Sequence, residues 1–75
     1  MTLDEFVQAF AAEFDDTPVE DFKPDVKFKE LEEWSSLTAL SIISMVDDEF
    51  DKNITGANLR SCDTIEDLYN LIIAK

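Results

Sequence analysis

Two serines stand side by side at positions 35 and 36, in the stretch "LEEWSSLTALSIISMVDDEF" (residues 31–50), at the head of the most apolar segment of the chain. A serine hydroxyl is a weak nucleophile unless a neighbouring base takes its proton. Histidine is absent, so no Ser-His or Cys-His pair can form, and metal sites built from His and Cys are excluded with them. Two uses remain for these hydroxyls. They can cap a helix, or they can receive a group that another enzyme installs. Ser35 is a good N-cap, because its oxygen can accept from the N–H groups of the following turn. Ser36 would then open the helix with its hydroxyl outward. The free N–H groups and positive dipole end around it favour a phosphate ester there. The residues alone fit the other register equally well, with Ser36 as the cap and Ser35 as linker.

Other chemistry is scarce. Cys62 is the sole cysteine and stands in apolar surroundings, which suits a buried small hydrophobe better than a reactive thiol. Asp51, Asn53, Thr55 and Gly56 imitate the first, third, fifth and sixth places of a calcium-binding EF-hand loop. The twelfth place, where a bidentate Glu belongs, holds Cys62, and Asn58 replaces the usual aliphatic residue, so no dedicated metal site is expected. Asp47, Asp48, Glu49 and Asp51 can hold divalent cations only loosely. With 18 acids in 75 residues, adjacent carboxylates are unavoidable and none is marked out as tuned. A single glycine rules out a glycine-rich phosphate loop.

The elements that must position Ser36 can be read from periodicity. Leu3, Phe6, Val7, Phe10, Ala11 and Phe14 predict a helix over residues 3–14, opened by a capping box of Thr2 and Glu5. Residues 15–35 hold no sustained period and are broken by Pro18 and Pro24. Thr17 before Pro18 can start one helical turn. Val19, Phe22, Val26, Phe28, Leu31 and Trp34 stud this long loop and should lay it over the core, with Trp34 as a packing plug. A second helix is expected from Ser36 to Phe50. Ala39, Ile42, Ile43, Val46 and Phe50 share one arc of it, with Leu40 at the edge. Leu37 and Met45 fall outside that arc, among Thr38, Ser41 and Asp48 on the wet side, where they could dock a partner. A short helix near residues 57–61 and a last one over residues 64–73, capped by Thr64 with Asp67, complete a small all-α four-helix bundle. It has three longer helices, one short one and a long loop between the first two.

Composition sets the limits. Seventy-five residues suit one domain spanning positions 1–75. Six phenylalanines with one tryptophan and one tyrosine make the chain too apolar for disorder. The net charge of −12 repels phosphate backbones and anionic lipid, so nucleic acid is a poor partner, membrane insertion is not expected, and a basic protein surface is the natural complement. The lone thiol and the acidic N-terminus suggest a reducing, cytoplasmic setting and a monomer.

The stretch "EEWSSLTALSIISMVDDEF" resembles the region around the attachment serine of acyl carrier proteins. That family's signature is Asp-Ser-Leu at the start of its second helix. Ser36 and Leu37 match it, and Ser35 replaces the aspartate. "FKELEEW", "DDEFDKNI" and "DTIEDLYNLI" resemble the approach to the motif, the acidic end of the second helix and the Thr-led last helix, so the likeness covers nearly the whole chain. The resemblance implies that Ser36 carries 4'-phosphopantetheine, installed by a phosphopantetheinyl transferase, and that the chain holds acyl groups as thioesters without catalysis of its own. The implied setting is fatty-acid or related lipid or polyketide-type biosynthesis. It implies an acyl shelter formed by Val7, Phe28, Ile42, Val46, Phe50, Ile54, Leu59, Cys62 and Leu68. It also implies docking of acyl-processing enzymes with basic surfaces through Ser35, Leu37, Thr38, Ser41, Met45 and Asp48. Thr38 and Ser41 stand where many fatty-acid carriers have acids, which points to a specialised set of partners. Peptidyl carriers, which usually place glycines before the serine, fit less well. The competing reading is an unmodified helical interaction module that binds basic partners through the same helix.

Overall fold

A computed structural model describes residues 2–75 of the chain. Its helices are α1 (Leu3–Ala11), α2 (Ser36–Phe50), α3 (Gly56–Ser61) and α4 (Ile65–Ile73), with two 3-10 turns, Val19–Asp21 and Phe28–Glu30, in the long loop. The expected all-helical bundle of three longer helices and one short one is thus present. α1 touches α2 and α4, and α3 touches α2 and α4.

Each N-terminus forms where a side chain can satisfy its free N–H groups. Thr2 and Glu5 make the expected capping box on α1, and Thr64 with Asp67 makes the one on α4. Thr55 and Asn58 make a third on α3. Its second member is an uncharged Asn, where the other two boxes have a carboxylate. α2 ends at Asp51, whose left-handed backbone (φ 55°, ψ 39°) stops the helix while its N–H bonds to the Asp47 carbonyl. The residues that imitate a calcium loop are therefore taken up by the end of one helix and the cap of the next.

α1 is shorter than expected. It ends at Ala11 and not at residue 14, because the N–H groups of Glu13 and Phe14 reach back only three residues, to Phe10 and Ala11. The tighter turn keeps Phe14 buried, with its ring 4.9 Å from that of Phe22. Phe10 sits at the centre of the rings: Phe6, Phe14, Phe22, Phe28 and Trp34 all lie with centroids within 6.4 Å of it. Four of those five partners are aromatic residues of the loop or of the turn into it, so the loop is laid over the core as expected. Truncating a buried phenylalanine of this kind costs about 3–5 kcal/mol. The loop is also stitched to α4, where Ile65 and Glu66 donate first-turn N–H groups to the carbonyls of Val26 (3.2 Å) and Pro24 (2.9 Å).

α2 is turned away from its expected orientation. Ile42, Met45 and Val46 are buried, Ala39, Ile43 and Phe50 are half-buried, and Leu40 is 62 % exposed. Met45, expected on the wet side, is only 7 % exposed. The cause is that α2 lies between α1 and α3, so its buried arc is wider than a single stripe and extends onto the flank that Met45 occupies. The apolar residues left outside are Leu37 and Leu40. Met45→Ala should therefore cost on the order of 2–5 kcal/mol in a denaturant titration. Leu37→Ala, at a site 77 % exposed, should change stability by less than about 0.5 kcal/mol.

Candidate functional site

The start of α2 settles the register of the serine pair. Ser35 has an extended backbone (φ −153°, ψ 177°) and its Oγ accepts from the Thr38 N–H at 3.4 Å. Ser35 is the cap. Ser36 is the first helical residue, exposed, and its hydroxyl has no hydrogen-bond partner among the described residues. The first turn of α2 carries no acid, unlike those of α1 and α4, so nothing neutralises the positive dipole end beside that hydroxyl.

Glu33 fixes this turn in place. Its carboxylate accepts from the N–H groups of Asp15 (3.2 Å), Asp16 (3.0 Å) and Thr17 (2.6 Å), and from the Thr17 hydroxyl. Its carbonyl accepts from the Thr38 hydroxyl at 2.8 Å. One residue thus joins the end of the α1 turn to the first turn of α2. The Thr17 hydroxyl is the largest cause that holds the Glu33 carboxyl below the usual carboxylate range; desolvation opposes it, and the N–H groups of Asp16, Thr17 and Asp15 each add a smaller lowering. Nothing in the sequence marks Glu33 out, because its partners lie 16 to 18 residues away in a stretch without periodicity.

Beside Ser36 lies an open cleft of about 300 Å³ between α2 and α3, lined by Lys29, Trp34, Ser35, Ser36, Ala39, Gly56, Leu59 and Arg60. Lys29 Nζ donates to the Arg60 carbonyl at 2.8 Å, capping the C-terminal end of α3, and lies 3.7 Å from Asp63. Sequence reasoning passed over both cations. The available signal was their rarity, six basic residues against 18 acids.

The expected docking residues divide. Leu37 and Asp48 are exposed, and Leu40 and Ser44 share their side of the helix at helical spacing. Thr38 and Ser41 are half-buried, and the Thr38 hydroxyl is committed to Glu33. Met45 belongs to the core. Of the expected acyl-shelter residues, Val7, Phe28, Ile42, Val46, Ile54, Leu59, Cys62 and Leu68 are buried in one cluster, and Phe50 packs half-buried against it. Burial, the largest cause, pushes the Cys62 thiol up.

The family model for the phosphopantetheine attachment site matches residues 5–72. The chain belongs to that family. No curated protein and no solved structure matches it. As a carrier domain it is not an enzyme; it bears a covalent 4'-phosphopantetheine, is modified by a phosphopantetheinyl transferase and works with acyl-processing enzymes. The arm supplies a flexible tether ending in a thiol. The residues at the head of α2 suit such a group: an exposed, uncommitted hydroxyl, a first turn free of carboxylates, and a cleft with two cations alongside.

Because the Glu33 carboxyl is held low, its bonds stabilise the fold above the usual carboxylate range, and that stabilisation fades as pH falls through the lowered value. The gap in thermal midpoint between wild type and Glu33→Gln should be full near pH 7 and should close as the pH drops below about 4. Melting curves at stepped pH measure it.

Proposed function

We propose that Ser36 is the attachment serine of this carrier domain. The supporting observation is that Ser36 alone of the pair keeps a free, exposed hydroxyl at the first position of α2, while Ser35 is spent on the cap. The arm leaves from a turn that Glu33 ties to the rest of the chain, so its root is fixed while its length is free. Acyl groups ride on its terminal thiol as thioesters, in fatty-acid or related lipid or polyketide-type biosynthesis. Ser35 in place of the family's aspartate removes a carboxylate from the approach to the site, which favours enzymes adapted to a serine there. The protein acts in a reducing compartment, the cytoplasm, where its single buried thiol stays unpaired.

The enzymes that load and process the acyl group dock on the outer face of α2. Leu37 and Leu40 supply an apolar contact that a partner can dry out, and Asp47, Asp48 and Glu49 sit at the far end of the same helix. These acids steer a basic surface into encounter, an effect mostly on the association rate. Ile42, Val46, Leu59 and their neighbours shelter the acyl chain once the side chains between α2 and α3 part to admit it.

Incubation with CoA and a broad-specificity phosphopantetheinyl transferase should add one arm to wild type and to Ser35→Ala, and none to Ser36→Ala, as read by intact mass. An arm on Ser36→Ala would refute the assignment; a chain that accepts no arm at all would favour an unmodified interaction module. With a cognate enzyme, Asp48→Lys should lower the association rate by roughly tenfold at low salt, and less at high salt. Leu37→Ala and Leu40→Ala should mainly speed dissociation. Surface plasmon resonance separates the two effects.

A further inference from the structure

The cleft beside Ser36 contains an anomaly of charge. The chain carries 18 acids and only six basic residues, yet the Arg60 guanidinium has no hydrogen-bond or ion-pair partner among the described residues. The residue is exposed, and it lines the cleft. Its Nη1 lies beside Gly56, 3.4 Å from where an added Cβ would stand, and Arg60 and Ser36 both line the cleft. Lys29 lines the same cleft, with its ammonium on the Arg60 carbonyl. Lys29 Nζ also lies 3.7 Å from Asp63, which does not line the cleft.

We propose that Arg60, assisted by Lys29, is the counter-charge for the phosphodiester that joins the arm to the chain, and that this pairing lays the first part of the arm along α3. The inference rests on Ser36 as the attachment point. A phosphodiester on Ser36 Oγ carries one negative charge on its non-bridging oxygens, two bonds from Oγ, which brings that charge to the mouth of the cleft that Ser36 lines. A planar guanidinium can donate two parallel N–H bonds to such oxygens, which an ammonium cannot match. The dipole end of α2 and Lys29 add to the same local field. Beyond the phosphate, the rest of the arm would run over Ala39 and Leu59, the apolar floor between α2 and α3.

Pairing makes α3 harder to open once the arm is on. The test compares arm-free and arm-bearing chains, prepared with CoA and transferase and checked by intact mass, through amide hydrogen exchange at Leu59, Arg60 and Cys62. An exposed charge pair corresponds to a change of roughly two- to fivefold. Attachment should slow exchange at these amides by that factor in wild type at low salt, and the gain should largely vanish near 1 M salt. Arg60→Gln should take up the arm normally and show no gain, whereas Arg60→Lys should keep part of it. The phosphodiester 31P resonance should shift between wild type and Arg60→Gln. An arm-bearing wild type with unchanged exchange overturns the proposal, as does an equal, salt-independent gain in Arg60→Gln. A wild-type chain that stays arm-free overturns the assignment of Ser36 as well, and its mass shows this before any exchange is measured.

Discussion

Phe10 is the contact on which the rest of the arrangement depends. Five other rings converge on it, from Phe6 on its own helix to Trp34 at the threshold of α2. A chain of this length buries a small core, and one of this charge must do so against its own repulsion. Large rigid rings answer both demands, since each removes much apolar surface from water at little cost in side-chain freedom. They also let a loop whose regular backbone hydrogen bonding is limited to two 3-10 turns behave as part of the core. Phe22 and Phe28 hold its middle, and Trp34, 4.9 Å from Phe28 and stacked on Phe10, holds its end next to the serines.

Glu33 converts this apolar anchoring into a fixed direction. Aromatic contacts tolerate sliding and rotation, whereas hydrogen bonds from three consecutive N–H groups do not. With Trp34 packed on one side and Glu33 bonded on the other, the two residues before Ser35 have little freedom, and the first turn of α2 inherits that order through Thr38. The site is thus positioned by the segment with the least legible secondary structure. An irregular loop is suited to this, because its N–H groups are not consumed by a helix and remain free to bind a carboxylate.

This explains which parts could be read in advance. The helices follow from repeats of Leu, Ile, Val and Phe at helical spacing, and two of the capping boxes from Thr followed by Glu or Asp. The full extent of α2, Ser36–Phe50, was legible for the same reason. The rotation of α2 was not, since a stripe on one helix gives an arc only when a single neighbour covers it, and Met45 is buried by a second neighbour that no local pattern announces. Ser35 as cap was one of two registers open to the sequence; the extended backbone at Ser35 separates them. Glu33, Lys29 and Arg60 act through partners far along the chain, or through the shape of a cleft, and neither is encoded in a window of a few residues.

The burial of Cys62 has a consequence for how long a cargo would last. A thioester is broken by thiols and amines, and a nucleophile on the same chain would attack at an effective concentration far above that of any free one. Here the sole thiol is inside the core and held in its neutral form, and no imidazole exists to assist it or water. The amine that lines the cleft with Ser36, Lys29, has its ammonium engaged by the Arg60 carbonyl and Asp63. On the proposed reading, the surface around the arm is chemically quiet. An activated acyl group could wait there for its enzyme without being spent on the protein that carries it.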